Sequence, residues 1–202
     1  MPEAYIIDAV RTPIGRRNGG LARVHSSDLG AHVLKALIAR TGVDPGAVED
    51  VVFGCCDTIG PQAGDIARTC WLAAGLPLHV PGVTIDRQCG SSQQAVHFAA
   101  QGVMSGTADL IVAGGVQNMS AIPISSAMTL AQPLGFATPF EGGRGWAARF
   151  GAQEVSQFVG AEMIAEQWKI SREDMERFAF ESHQRAIRAA DAGHFDGEIA
   201  PL

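Results

Sequence analysis

Cys89 lies at the point where the sequence pattern changes from a strand to a helix. Val83 and Ile85 stand among β-favouring residues, and an apolar helical pattern starts at Gly90. The first N–H groups of a helix have no partners within it and the helix dipole makes that end positive, so a thiolate there is stabilised. Such a cysteine can act as a nucleophile at neutral pH. A buried packing cysteine is the commoner alternative, but the position of Cys89 favours the nucleophile.

The other three cysteines form no pattern of a metal site. Cys55 and Cys56 are adjacent and Cys70 stands alone, so the chain has no CxxC pair that could bind zinc. A disulfide framework is not expected in a chain with a large core and no export signal. We therefore expect these three cysteines to be packing residues, and we expect no metal site.

A cysteine nucleophile needs a base within hydrogen-bond reach. The nearest histidine in the sequence is His97, eight residues after Cys89. On a helix this spacing corresponds to about 12 Å along the axis and roughly 80° around it, so the two side chains cannot pair. No spacing singles out another histidine. Either the base comes from elsewhere in the fold or the chain is incomplete.

Strands and helices alternate through the first 120 residues. We expect strands at Ala4–Val10, Val48–Phe53, Val83–Ile85 and Asp109–Ala113. The helices between them are expected from Ser26 or Ser27 to Gly42, from Asp65 to Ala74, and from Gly90 to about Met104. This βαβαβαβ order predicts an α/β fold with a mixed, mostly parallel sheet. Reactive groups gather at the carboxyl ends of the strands in such sheets, and Cys89 follows one of these ends.

The alternation ends after Met119. Residues 121–151 are rich in proline and glycine, which is typical of a long functional loop. Two helices are expected next, over Glu154–Trp168 and from Ser171 to Ala192, with a capping box between Ser171 and Asp174. We therefore predict a division between residues 1–120 and a mainly helical region over residues 121–202. The helix after Cys89 is apolar nearly all round, which predicts that a second domain or subunit covers it.

Composition narrows the class of protein. Apolar residues make up 47% and charged residues 18% of the 202 residues, as in a globular protein with a core. The net charge of −6 and the lack of a basic block argue against a nucleic-acid partner. No apolar run approaches the ~20 residues that span a bilayer. The first residues lack the pattern of a signal peptide, so we expect a cytoplasmic protein that does not bind membranes.

The segment Asp86–Ala95 closely resembles the acyl-accepting cysteine motif of the thiolases, with sequence DRQCGSSQQA. Other segments resemble thiolases in the same order and spacing: Asp8–Gly15, Ala113–Ser120, and Ile170–Glu173 with Glu181–Ala186. The resemblance covers essentially the whole chain.

This resemblance implies an acyl-CoA C-acyltransferase that cleaves 3-ketoacyl-CoA by thiolysis or runs the reverse Claisen condensation. Cys89 would carry the acyl group as a thioester, and its backbone N–H would contribute to the oxyanion hole. Coenzyme A thioesters would be the substrates, with no separate cofactor. The resemblance also implies a homodimer or homotetramer and a role in lipid degradation such as fatty acid β-oxidation.

The departures from the thiolase pattern are also informative. Thiolases are about twice this length, and a second half supplies a catalytic histidine and a second cysteine, so we expect the chain to be incomplete at its C-terminus. The resemblance implies that residues 1–120 are the N-terminal thiolase core domain and that residues 121–202 are part of an inserted loop domain. Ser156 and Gln157 replace a frequent His-Met pair, and Gln117 replaces a usual Glu. With Gln93 and Gln94, these residues resemble thiolases that act on bulky, steroid-derived acyl-CoAs. The alternatives are a non-catalytic thiolase-like binding module and a decarboxylating ketoacyl synthase.

Overall fold

The structure is a computed structural model that describes residues 2–202. Three parallel strands form its sheet in the order β2-β1-β3: β1 (Asp50–Gly54), β2 (Gly82–Ile85) and β3 (Ile111–Gly115). The central strand is built from Val51, Val52 and Phe53, whose branched and aromatic side chains suit a strand buried on both faces. Gly54 is in register with Ile85 and Gly115, so the three strands end at one edge of the sheet.

The helices fall into two groups along the chain. Four of them precede residue 131: α1 (Ser26–Thr41), α2 (Ile66–Ala73), α3 (Ser91–Ser105) and the short α4 (Ser126–Thr129). Three follow it: α5 (Arg144–Phe150), α6 (Gln157–Trp168) and α7 (Arg172–Asp191). Short 3₁₀ turns lie at Pro45–Ala47, Gly60–Gln62 and Gln132–Leu134. In the part of the chain described, no helix is long and apolar enough to cross a membrane.

The core lies between the sheet and helices α1 and α2. Trp71 and Ile66 from α2 and Leu34 from α1 pack there with Val51 and other buried side chains of the sheet. Close approach of the two helices requires Gly30, because a Cβ at this position would lie 2.2 Å from the Sγ of Cys70. Burial of these apolar side chains stabilises the elements that carry the site.

The predicted fold class is confirmed, with one element that differs. The segment predicted as the first strand, Ala4–Val10, forms no strand, and only Arg11 after it makes an isolated parallel bridge to Ile199. A strand needs a neighbour for its backbone N–H and C=O groups, and no described strand lies beside this segment. Tyr5, Ile6 and Ile7 are accordingly exposed. Apolar β-favouring residues predicted the strand, but they do not supply its partner.

The chain divides into two compact units. One contains residues 2–130 together with Glu198–Leu202, and the other contains Ala131–Gly197. The expected domain division between residues 120 and 121 stays a prediction. In the second unit, the helix predicted from Glu154 starts at Gln157, and the predicted capping box between Ser171 and Asp174 is confirmed. The segment 121–151, which shows no periodic signal, contains the short helices α4 and α5.

Candidate active site

Cys89 lies between β2 and α3, as expected, and its side chain is exposed. Gly90 is the N-cap of α3 and makes no side-chain capping bond. The positive end of the α3 dipole therefore points toward the loop that carries Cys89. This arrangement favours an anion at the position of Cys89, either a thiolate or an oxyanion formed from a carbonyl group.

Two glycines at the strand ends set the distance between the sheet and α3. A Cβ at Gly54 would lie 2.4 Å from the backbone nitrogen of Ser92, and one at Gly115 would lie 2.0 Å from its Oγ. A side chain at either position would push the first turn of α3 away from the strands. The paired glycines thus seat the start of α3, and with it Cys89, directly on the carboxyl ends of β1 and β3.

Hydrogen bonds fix the loop before Cys89. The backbone N–H of Gln88 donates to Oδ1 of Asp86 at 2.7 Å. The Oγ of Ser91 accepts from the N–H of Arg87 at 2.9 Å and donates to the carbonyl oxygen of Gln88 at 2.5 Å. The N–H of Gly90 donates to the carbonyl oxygen of Arg87 at 3.1 Å. The loop is therefore a defined turn that presents the cysteine.

A cavity of about 320 Å³ opens beside Cys89 at this edge of the sheet. It is lined by Gly54, Cys55, Cys56, Gln88, Cys89, Ser91, Ser92, Gly115, Val116, Gln117, Met119 and Ile124. Most of these residues are small, apolar or neutral, and apart from the cysteines none of the lining residues is ionisable. A cavity of this kind suits an uncharged acyl or thioester group better than a charged one.

Differences in burial distinguish Cys89 from the other cysteines. Burial raises the pKa of Cys55 to about 11 and that of Cys70 to about 12, and it also raises the pKa of Cys56. These three thiols stay protonated at neutral pH and are poor nucleophiles. Cys89 is the exposed cysteine among the four. The prediction that Cys55 and Cys70 are packing residues is confirmed by their burial.

The cavity contains no candidate base. None of the histidines lines it, and His97 is exposed on α3. His32 contacts the carbonyl oxygen of Ala200 at 3.3 Å, and His79 contacts that of Gly46 at 3.0 Å. Among residues 2–202, no group of three or more histidine, cysteine or acidic side chains could hold a metal ion. The described residues therefore place an exposed thiol beside a cavity, with no histidine or acidic side chain in the lining that could remove its proton.

Gln117 and Asp57 form a polar network behind the cavity. The Oε1 of Gln117 accepts from the N–H of Cys56 at 3.2 Å and from the Sγ of Cys55 at 3.3 Å. Its Nε2 donates to Oδ2 of the buried Asp57 at 3.3 Å, and Oδ1 of Asp57 accepts from the N–H of Ala127 at 2.8 Å. An amide at residue 117 donates to the carboxylate of Asp57, whereas a second carboxylate there would repel it. This contact accounts for the glutamine that departs from the usual glutamate.

The sequence profile of the thiolase N-terminal domain matches residues 4–202. The chain belongs to the thiolase family. It is 61% identical over 199 residues to the steroid 3-ketoacyl-CoA thiolase FadA6 of Mycobacterium tuberculosis. The aligned residues are 98% of this chain and 49% of that protein. It is 40% identical to a β-ketoadipyl-CoA thiolase of Acinetobacter baylyi over 100% of this chain and 52% of that protein.

A solved structure is similar to this chain over nearly its whole length. The crystal structure of an acetyl-CoA acetyltransferase from Bacillus anthracis matches 99% of this chain and 50% of its own with a TM-score of 0.77 and 33% sequence identity. The chain thus spans about half the length of the thiolases that it matches. The resemblance seen in the sequence motifs is confirmed at the level of the family.

The role of Cys56 at the site was missed by the sequence analysis. Cys56 was expected to be a packing residue, but it is half-buried, lines the cavity, and its Sγ lies 3.1 Å from the carbonyl oxygen of Gln88. No burial alternation before Cys56 could have indicated this role, because the strand residues Val51–Gly54 and Cys55 are all buried. What the side chain contacts depends on where the Cys89 loop lies in three dimensions.

Proposed function

We propose that this protein is a degradative thiolase in which Cys89 is the acyl-accepting nucleophile. The observation that carries the proposal is the position of Cys89, an exposed thiol before the N-terminus of α3 and beside an uncharged cavity. Membership of the thiolase family supports the same reaction class. In this reaction a 3-ketoacyl-CoA and coenzyme A give acetyl-CoA and an acyl-CoA shortened by two carbons.

The chemical steps follow from the position of the thiol. The sulfur of Cys89 attacks the 3-keto carbon and its proton passes to a base, which forms a tetrahedral oxyanion. The N–H of Cys89 and the positive end of the α3 dipole stabilise this charge. Cleavage of the bond between C2 and C3 releases acetyl-CoA after protonation of C2 and leaves the acyl thioester. The thiol of coenzyme A then attacks this thioester and restores the free cysteine.

The proton-transfer groups lie outside the cavity lining. None of the lining residues other than the cysteines is ionisable, and burial raises the pKa of the lining thiols of Cys55 and Cys56, so neither accepts a proton at neutral pH. We therefore expect the 202-residue chain alone to lack thiolysis of acetoacetyl-CoA. The full-length protein is expected to supply the base from its remaining half.

Substrate class, assembly and location are part of the proposal. The name of the relative at 61% identity supports a bulky, steroid-derived acyl-CoA as substrate. Val96, Phe98 and Met104 are exposed apolar side chains of α3. They support an interface of this helix with the second half of the protein or with another subunit of a homodimer or homotetramer. We place the protein in the cytoplasm.

The test is acylation of the full-length protein with acetyl-CoA, followed by peptide mass spectrometry. We expect an acetyl group on the peptide of Cys89, and we expect neutral hydroxylamine to remove it, as it removes a thioester. The Cys89→Ser variant should remain unmodified at this peptide. A full-length protein that never acquires the acetyl group would instead be a non-catalytic binding module. Release of carbon dioxide from a malonyl thioester would indicate a ketoacyl synthase.

A further inference from the structure

The backbone directly before Cys89 adopts a conformation that needs support. Gln88 has a φ of 48°, in the left-handed region that residues with a side chain seldom occupy. Such a residue persists only where the surrounding contacts hold it, and residues of this kind cluster at functional sites. The contacts that hold Gln88 therefore also determine where the thiol and the N–H of Cys89 point.

Three donors converge on the carbonyl oxygen of Gln88. Two come from Ser91, at the start of α3: its N–H at 3.0 Å and its Oγ at 2.5 Å. The third is the Sγ of Cys56, at 3.1 Å. Ser91 is three residues from Gln88 and moves with the same turn. Cys56 follows β1, so its thiol ties the turn to the sheet.

Cys56 is itself held in place. Its N–H donates to Oε1 of Gln117 at 3.2 Å, and Nε2 of Gln117 donates to the buried carboxylate of Asp57. That carboxylate also accepts the N–H groups of Ser125 at 3.3 Å and Ala127 at 2.8 Å. Burial raises the pKa of the Cys56 thiol, so it keeps the proton that it donates to Gln88. The support for the Cys89 turn is thus a connected series of hydrogen bonds from the sheet and the start of α4.

We propose that Cys56 is a positioning residue for Cys89. Its thiol holds the carbonyl group of Gln88, keeps the peptide before Cys89 in its left-handed conformation, and so keeps Cys89 at the positive end of α3. The proposal rests on the proposed role of Cys89 as the nucleophile. It assigns no chemical step to Cys56, whose thiol donates to the turn.

The experiment compares Cys56→Ala with Cys56→Ser in the full-length protein. The rate of modification of Cys89 is measured with iodoacetamide by peptide mass spectrometry, and the rate of its acetylation is measured with acetyl-CoA. Loss of one donor hydrogen bond predicts that both rates fall about five- to tenfold in Cys56→Ala. The hydroxyl of Cys56→Ser can donate to the same carbonyl oxygen, so both rates in this variant should be close to those of the wild type.

Two further variants keep the test decisive. Cys70→Ala removes a buried sulfur from the core and controls for lost stability, so it should lower the melting temperature without slowing modification of Cys89. If Cys56→Ala does not fold, Gln117→Met removes the acceptor for the N–H of Cys56 at similar volume and should slow the reaction in the same direction.

Three results would overturn the proposal: an unchanged rate in Cys56→Ala, a Cys56→Ser variant as slow as Cys56→Ala, or an equal loss in Cys70→Ala. Failure of the proposed function gives a different result. In that case wild-type Cys89 is never acetylated by acetyl-CoA, while the iodoacetamide rates still decide whether Cys56 positions the thiol.

Discussion

The two compact units differ in what holds their helices. The unit of residues 2–130 with Glu198–Leu202 contains the buried apolar side chains, and Trp71 in α2 is 0% exposed. Throughout residues 131–197, all of which the structure describes, no residue is buried, and Phe178 in α7 is 73% exposed. Both units have well-formed helices. A helical pattern in the sequence therefore predicts a helix but not the core against which it packs.

Local contacts hold the second unit. A capping box starts α7, and ion pairs one turn apart follow it, including Arg172 with Glu176 at 2.7 Å. The ring of Trp146 lies between two tilted aromatic rings. Its centroid is 4.9 Å from that of Phe140 and 4.5 Å from that of Phe150. Exposed ion pairs contribute little to stability, and aromatic pairs contribute about 0.5–1.5 kcal/mol each. We expect the second unit to be the less stable of the two in this chain.

Removal of one aromatic side chain from each unit should give the largest contrast. Trp71→Ala is expected to lower the free energy of unfolding by about 3–5 kcal/mol, because it leaves a cavity and removes the hydrogen bond from Nε1 to the carbonyl oxygen of Pro77. Phe178→Ala, as the matched control, should change it by less than about 0.5 kcal/mol. Urea denaturation measures both. Similar losses for the two variants would contradict the difference in burial.

The same substitution of glycine by alanine should have opposite signs in the two units. A Cβ at Gly115 would lie 2.6 Å from the backbone oxygen of Gly54, so Gly115→Ala should cost about 1–3 kcal/mol and move α3. Gly160 lies inside α6 with no atom within 4 Å of its Cβ position. Gly160→Ala should therefore stabilise its helix by about 0.5–1 kcal/mol. Thermal unfolding followed by circular dichroism tests both, and a destabilising Gly160→Ala would show that α6 is covered.

The smallest effect concerns the start of α7 at acid pH. The hydroxyl of Ser171 and then Arg177 lower the pKa of Asp174 from its ordinary value of 3.8. Because the folded state favours the ionised carboxylate, this contribution is fully present above 3.8 and is lost as the pH falls below that value. We expect a small drop in helical circular dichroism below this pH. The drop should be smaller in Asp174→Asn, and an identical acid profile for the variant would contradict the assignment.

Most of the fold could be predicted from local patterns. Gly42 ends α1 in the left-handed conformation, and Ser171 caps α7, as their residue types predict. The strand expected over Ala4–Val10 was wrong for a non-local reason. Its β-favouring residues are present, but a strand forms only where another strand supplies the hydrogen bonds. Propensity describes a segment, whereas pairing depends on the rest of the molecule.

Some residues of the candidate site could likewise be predicted from the sequence, and others could not. Cys89 could be identified because a strand, a cysteine and a helix start follow one another directly in the chain. The support from Cys56 and Gln117 could not be identified, because these residues are separated from Cys89 by whole secondary-structure elements. The notable glutamine at position 117 gave a signal, but its partner Asp57 became apparent only from their contact of 3.3 Å.

The sequence by itself determined the alternation of strands and helices from β1 to β3, the family, and the cysteine before α3, because each depends on residues that are close together in the chain. Only the tertiary structure decided which segments pair, which helices are buried, and which side chains hold the turn before Cys89. These features depend on contacts between distant residues, such as Gly54 and Gly115 beside Ser92, and no local pattern encodes such distances.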